Sequence, residues 1–505
     1  MLGSRESMED GPLRNGEGRL VFVSNRVGPL SDEGRAGGLA VGLADALRRR
    51  GGLWFGWSGE TSEEGSDCEL KTETHGDTTL ATIDLTEEEA EGFYLHYANR
   101  TLWPLLHYRL DIAEYDRESD RVYRAVNKRF AERLVPMIGE EDLVWVHDYH
   151  FFYLGAELRQ QGYEGRVGFF LHIPFCPPEI LGALPASLDL VSAMLAYDVV
   201  GFQTEVDRRN FVAFCVEELE AEELEDGILR VGERRVRCGT FPIGIDAEGF
   251  AEFARSDEAK EHEAMMLGMA NGRAQIVGVD RMDYSKGILH RMRGFEQLLE
   301  DHPEAHGKVR FLQVAPVSRG ELDAYAELRQ ELEQLAGNIN GRFATLDWAP
   351  MQILTRGFTR KALAGIYRAA RICMVTPLRD GMNLVAKEYV AAQDPEDPGV
   401  LILSRFAGAK AELDAALIVN PYSSDDVARA LKVALEMPLE ERRRRYDLMR
   451  ARVFSNTAAN WCDGFLDVLA NSDGARRDDD PHAALLRTPW TWDKALRFLG
   501  AVRPR

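Results

Sequence analysis

Four cations stand just past short apolar, β-rich runs, where an open α/β sheet presents its loops to an anion. Arg26 closes the run that begins Leu20-Val21-Phe22-Val23. Arg281 and Lys286 bracket the turn Asp280–Gly287 that follows Gln275–Val279, and Arg319 follows Val309–Val314 within Val317-Ser318-Arg319-Gly320. Such groups suit phosphate, and a guanidinium grips it with two parallel bonds. The competing reading pairs these cations with neighbouring acids such as Asp283 or Glu321. Gly37 and Gly38 open the helical pattern Gly38–Arg50. A phosphate can approach free amides there, although a Gly pair after a strand also makes an ordinary turn.

The segment Thr376–Glu388 carries the richest pattern. A strand ends at Thr376, a Gly-containing loop follows, and a helix starts near Asn383. Amides of Gly381, Met382, Asn383, Leu384 and Val385 can face a ligand, and Asp380 and Glu388 can meet it from two ends. A carboxylate accepts hydrogen bonds from the vicinal hydroxyls of a ribose or a hexose. Two further clusters, His147-Asp148-Tyr149-His150 and His172-Ile173-Pro174-Phe175, each follow a strand. HxxH with no third ligand nearby makes a poor zinc site, so no metal is expected. His172, before a Pro-containing loop, belongs in a cleft rather than in a core. Tyr94 and Trp103, in an aromatic-rich stretch ending Leu102-Trp103-Pro104, suit a core or a site equally.

The elements that must position these residues alternate. Strand patterns fall at 20–23, 53–57, 143–146, 167–171 and 199–202, with helical patterns at 119–134 and 205–222 and a hairpin of 228–231 with 235–241. After a pause near Gly244–Ala254 the rhythm restarts, with strands at 275–279, 309–314, 372–375, 400–403 and 417–419. Helical patterns lie at 287–300, 320–336, 360–370, 384–393 and 425–436, followed by 439–452 and 457–470. Alternation of this kind makes parallel sheets covered by helices, and two doubly wound α/β domains facing across a cleft account for it most simply.

Composition narrows the function. The 505 residues carry 61 Lys+Arg against 83 Asp+Glu, a formal charge of −22. That balance excludes nucleic acid and anionic membrane as general partners. No apolar run reaches the ~18 residues that span a bilayer, and the first residues show no basic-then-apolar signal pattern. The six cysteines contain no CxxC pair and read as reduced thiols of a cytoplasmic protein. Glu440–Arg445 reads as a solvated helix face, and Asp478-Asp479-Asp480, formally a DxD metal motif, as a charged tail.

Taken together, the motifs VSNR, AGGLAVGL, GGLWFGWSGE, LWPLLHYR, VWVHDYH, FFLHIPF, GFQTE, DRMDYSKG, APVSRGE and VTPLRDGMNLVAKEYVAAQ closely resemble the trehalose-6-phosphate synthase family, in order from about residue 20 to about 470. The resemblance implies a retaining glycosyltransferase of the GT-B fold that makes α,α-trehalose 6-phosphate from UDP-glucose, or another nucleotide-glucose, and glucose 6-phosphate. It implies that Arg26, Tyr94, Trp103 and Arg319 hold the acceptor phosphate and Asp148 the acceptor sugar. Gly37, Gly38, Arg281 and Lys286 then meet the donor diphosphate, His172 and Asp380 the donor glucose, and Phe358 with Leu384, Val385, Ala386, Lys387 and Glu388 the nucleoside, Glu388 on the ribose. His172, Arg281, Lys286 and Asp380 are the catalytic set. Attack by the acceptor hydroxyl on the face that the nucleotide leaves is implied, with no covalent intermediate, no metal and no cofactor.

The expected domains are 19–246, rejoined by a helix 457–472, and 247–456, with a disordered leader 1–18 and an unassigned tail 473–505. Cys176 and Pro177 stand where the family commonly has Pro then Ser or Thr, and Asp280 where Glu is commoner. A relative with another acceptor (a pseudo-glycosyltransferase joining cyclitols), a non-catalytic sugar-phosphate sensor and a homo-oligomer stay open as alternatives or additions.

Overall fold

The computed structural model describes residues 18–28, 43, 47, 48, 50–62, 70–317 and 323–472. They divide into two units, one of described residues up to Thr240 and from Gly464 onward, the other Phe241–Asp463.

The first unit is built on ten strands among the described residues: β1 (Leu20–Arg26), β2 (Gly52–Ser62), β3 (Lys71–His75), β4 (Thr78–Thr86), β5 (Leu143–His147), β6 (Arg166–Leu171), β7 (Val199–Phe202), β8 (Glu222–Glu223), β9 (Ile228–Val231) and β10 (Arg234–Thr240). Their order is β3-β4-β2-β1-β5-β6-β7-β10-β9-β8. From β4 to β10 every neighbouring pair is parallel, and antiparallel strands finish both edges. The chain leaves β1 in one direction to β2 and β4, then resumes on its other side with β5, β6 and β7. The switch point therefore lies between the ends of β1 and β5, where such sheets hold ligands.

Helix Arg117–Leu134 packs a stripe of Tyr123, Val126, Asn127, Phe130, Ala131 and Leu134 inward, the spacing of one helical face. Asp116 caps it by accepting the Ser119 amide at 2.8 Å. The last helix among the described residues, Ala458–Ala470, returns the chain to this unit, where Phe465 stacks on Trp145 at 4.2 Å.

Among the described residues the second unit has six parallel strands: β11 (Ala274–Val279), β12 (Val309–Val314), β13 (Met351–Leu354), β14 (Ile372–Val375), β15 (Val400–Ser404) and β16 (Leu417–Val419). The order β13-β12-β11-β14-β15-β16 puts its switch point between β11 and β14. Helices Ile288–Asp301 and Ser424–Glu436 bury Phe295, Leu298, Val427 and Leu431 in one core with Ile276, Phe311 and Ile372.

The alternating pattern read from sequence is thus present in both units, with four strands added: β3, β4, β8 and β13. The pause after Gly244 contains helix Ala247–Phe253 and is followed by helix Asp257–Ala270. The helix expected at 320–336 is described from Asp323 and runs on to Phe343. Of the helix expected at Gly38–Arg50, Leu43 and Leu47 are described and buried. Residues 1–17 of the expected leader 1–18, Gly37, Gly38, Arg319, Cys68 and the tail with Asp478-Asp479-Asp480 lie outside the described residues. The five other cysteines are buried free thiols. No helix among the described residues is long and apolar enough to cross a membrane.

Candidate functional site

In the first unit the pairing of β1 with β2 shifts register between Ser24 and Arg26, setting Arg26 opposite Trp57. Such a bulge re-aims a side chain. The Arg26 guanidinium lies 4.4 Å over the Trp57 ring and 5.7 Å from that of Tyr94. Among the described residues it meets two aromatic faces, a setting in which a guanidinium can present its N–H fork to an anion. Gly59, at φ +94°, makes the room: a Cβ there would stand 2.7 Å from Arg26 Nη1.

Tyr94 comes from an uncommon element. Thr86 and Glu89 form a capping box, each accepting the other's amide at 2.9 and 3.1 Å. The chain then winds as a π-helix over Ala90–Leu102, a geometry found mostly as short bulges at functional sites. Tyr94 stacks on His150 at 5.9 Å, and Trp103, which begins the next helical turns, packs on His107 and on Tyr149.

Beside β1, β5 ends in His147 and the loop of Asp148. Asp148 has φ +75°, costly for a residue with a Cβ and held only where its surroundings insist. Three buried side chains do so, satisfying consecutive carbonyls. Tyr123 Oη donates to Tyr149 O at 2.6 Å, Asn127 Nδ2 to His150 O at 3.1 Å, and Tyr197 Oη to Phe151 O at 2.6 Å. The Asp148 carboxylate accepts the His172 amide at 3.3 Å.

The two histidines of HxxH part company. His150 lies against Tyr94, whereas His147 Nδ1 is 3.1 Å from His172 Nε2, and Gln203 Nε2 is 3.4 Å from the other His172 nitrogen. Burial pushes the His172 imidazole down to about 3 and takes His147 well below its ordinary range, with His172 adding to the effect. Above the ordinary histidine value of 6.5 neither folded nor unfolded rings bind a proton, and the stabilisation is complete. Below it the unfolded chain binds protons that the folded one refuses, so stability falls as pH drops from 6.5 towards 3. Urea midpoints are expected to fall between about pH 7.5 and about pH 5, and less so in His172→Gln. An equal fall in that variant assigns the titration to other groups.

In the second unit Asp283 caps the turn after β11, accepting the Ser285 amide at 2.9 Å and the Tyr325 hydroxyl at 3.0 Å. The turn ends at Gly287, φ +64°. Leu378 N donates to Ser285 O at 2.8 Å, tying this loop to the one after β14. Across them Lys286 Nζ meets Asp380 Oδ2 at 2.6 Å, both side chains nearly buried. Asn383 (φ +72°) donates Nδ2 to the same oxygen at 3.0 Å, and its side chain makes no cap bond to the first amides of helix Leu384–Ala392. Of the acids named as competitors, Asp283 holds its own turn and Glu321 lies outside the described residues, while Lys286 does pair, with Asp380. Arg281 is exposed beside this turn.

Gly381 and Met382 are buried, and Leu384 and Val385 are half-buried on the first turn of the helix. Further along, neighbouring residues diverge. Ala386 is buried in the helix packing, and Lys387 is buried with Nζ 2.7 Å from Glu412 Oε1 and from Ile243 O. Burial lowers its ammonium pKa while Glu412 opposes the change. Glu388, half-buried, has its carboxyl pushed up to about 7 by burial, against the pull of Arg360. Phe358 precedes that arginine's helix and carries Arg356 4.9 Å over its ring.

The sequence motifs therefore come together as two clusters, one at each switch point. Trp57, Gly59 and Gln203 join them unforeseen. All three lie inside quoted motifs: Trp57 and Gly59 sit within β2, beside the end of β1, and Gln203 directly follows β7, the neighbour of β6.

Comparison with known proteins follows the same span. The model of glycosyltransferase family 20 matches residues 24–471. The trehalose-6-phosphate synthase of Sodalis glossinidius (strain morsitans) is 46% identical over 452 residues, 89% of this chain and 96% of its own. An α,α-trehalose-phosphate synthase (UDP-forming) from Burkholderia xenovorans, solved in complex with glucose-6-phosphate, aligns with a TM-score of 0.86 at 46% identity, over 90% of this chain and 100% of its own. The structure described as "trehalose-6-phosphate from E. coli bound with UDP-2-fluoro glucose" aligns with a TM-score of 0.86 at 43% identity, over 90% and 100% of the two chains.

Proposed function

The chain belongs to glycosyltransferase family 20, and from that premise we propose that it is a UDP-forming glucosyltransferase of the GT-B fold. It transfers glucose from UDP-glucose to glucose 6-phosphate with retention of configuration and makes α,α-trehalose 6-phosphate. The observation that carries the assignment of roles is that each sheet offers a cation at its own switch point: Arg26 on Trp57 and Tyr94 in one, Lys286 on Asp380 in the other.

Arg26 takes the acceptor phosphate, with Tyr94 and Trp103 lining it and Arg319 completing the grip. Asp148, fixed at its unusual φ, accepts hydroxyls of the acceptor sugar. Gly37, Gly38, Arg281 and Lys286 receive the donor diphosphate. Asp380 and His172 address the donor glucose, and Glu388 with the Leu384–Lys387 backbone and Phe358 the nucleoside. Because Lys387 spends its ammonium on Glu412, its contribution is that of the backbone.

In the reaction the anomeric hydroxyl of glucose 6-phosphate attacks the donor anomeric carbon. The bond from that carbon to the diphosphate breaks on the same face, and the hydroxyl proton passes to the departing phosphate oxygen. The two substrates bring about four negative charges. Arg26, Arg281, Lys286 and Arg319 oppose them, and fixed cations on a departing diphosphate are the type of stabilisation that dominates such catalysis. Holding both sugars in register supplies much of the remainder.

The direct test mixes UDP-glucose and glucose 6-phosphate with the protein and follows UDP release and product mass. Release is expected only when the acceptor is present. Its absence with every glucosyl donor refutes the assignment, and a product lacking phosphate refutes the acceptor.

A further inference from the structure

Beneath the Lys286 turn lies a second cation with no route to solvent. Arg291, on helix Ile288–Asp301, is fully buried. Its Nε donates to Thr376 Oγ1 at 2.9 Å, and its Nη1 donates to Gln313 Oε1 at 3.0 Å and lies 2.7 Å from Asp280 Oδ2. Its Nη2 reaches the carbonyl of Lys286 at 3.4 Å. Asp280 directly follows β11, Gln313 sits near the end of β12, and Thr376 directly follows β14. One guanidinium thus ties together three adjacent strand ends and the backbone of the residue that faces Asp380.

The fold makes space for it. Gly278 on β11 pairs with Gln313 on β12, and a Cβ at 278 would stand 2.6 Å from Arg291 Nη1 and 2.4 Å from Gln313 Oε1. Asp280 balances the charge, and burial raises its carboxyl pKa while Arg291 and Lys286 oppose the change. A buried ion pair is by itself weak evidence for stability, since apolar side chains of similar volume pack as well. Apolar side chains cannot, however, supply three directional hydrogen bonds, one of them to the carbonyl of Lys286.

We propose that Arg291 is a positioning residue: its guanidinium locks the ends of β11, β12 and β14 to the carbonyl of Lys286 and so sets the Lys286 ammonium for the donor diphosphate. The inference rests on the assignment of Lys286 to that diphosphate. A displacement of about 1 Å at such a group costs on the order of a hundredfold.

The test compares wild type with Arg291→Lys, Arg291→Gln and the double variant Asp280→Asn/Arg291→Gln. It measures thermal midpoint, KM for each substrate and UDP affinity by calorimetry. Arg291→Lys, which keeps the charge and loses the fork, is expected to raise donor KM by about 10- to 100-fold and leave acceptor KM within about twofold. Arg291→Gln is expected to lower the midpoint by stranding Asp280. The double variant regains that midpoint while its donor KM stays high. Donor KM returning together with the midpoint, or donor and acceptor KM rising equally, overturns the proposal and leaves Arg291 a core ion pair. If Arg291→Gln does not fold, Gly278→Ala, which pushes on the guanidinium from β11, faces the same two outcomes. Lys286→Ala serves as the control: an unchanged donor KM there removes the premise, whereas a raised one beside an unaffected Arg291→Lys overturns this inference alone.

Discussion

Arg26→Ala is expected to raise the KM for glucose 6-phosphate by about 10- to 150-fold while the KM for UDP-glucose stays close to wild type. A hydrogen bond to a charged group contributes about 1.5–3 kcal/mol, which converts to that range. The site around Arg26 survives its removal, because Trp57 and Tyr94 also pack on each other, at 5.7 Å, and Tyr94 on His150. The loss is therefore confined to the phosphate. Arg26→Lys should fall between the two, since an ammonium keeps the charge without the fork. Initial rates with each substrate varied in turn decide the matter. An equal rise in both KM values contradicts the assignment of Arg26 to the acceptor.

Lys286→Ala is expected to lower turnover by about 10²- to 10³-fold, the range for removing one preorganised group that stabilises developing charge. The ion pair with Asp380 sharpens this into a contrast. With no ligand, Lys286 is neutralised by Asp380 at 2.6 Å, and Asn383 shares the same oxygen. A diphosphate recruits the ammonium, and the carboxylate is released to sugar hydroxyls. Lys286→Ala should thus weaken UDP binding as well as turnover. Asp380→Asn keeps the shape, leaves the ammonium uncommitted, and should slow turnover by a similar order without weakening UDP. Calorimetry with UDP alone, which has no glucose for Asp380 to hold, separates the two. A matching loss of UDP affinity in both variants contradicts the division of labour.

Much of this was legible in the residues because strand ends announce themselves. Val23-Ser24-Asn25-Arg26 and Val375-Thr376 each pass from an apolar run to polar residues, and a parallel sheet buried on both faces demands such runs. The order of the chain, first to one side of the opening strand and then to the other, is not written in any run, yet it sets β1 beside β5 and β11 beside β14. β3 was missed because every residue of Lys71–His75 is exposed. It is a polar edge strand, which protects a sheet from unwanted pairing and carries no apolar alternation.

Trp57 was missed for the opposite reason. It lies in Leu53-Trp54-Phe55-Gly56-Trp57, too uniformly apolar to reveal which ring faces Arg26. Lys387 and Glu388 stand side by side in sequence, but successive helix positions point about 100° apart, and only packing shows that one turns to Glu412. The arginines of Glu440–Arg445 divide likewise. Arg444 stays on the solvated face with Glu441, while Arg442 is buried against Asp397.

The return of helix Ala458–Ala470 to the first unit sets a timetable for synthesis. Phe465 completes the stack on Trp145 and also lies 5.9 Å from Phe170, so the first sheet is one layer short until the ribosome has passed residue 465. At about 5–20 residues per second, the intervening Phe241–Asp463 takes roughly ten to forty-five seconds to emerge. During that interval the earlier-made half exposes aromatic rings awaiting their cover, an opportunity for a chaperone and a hazard for any transcript that stops short.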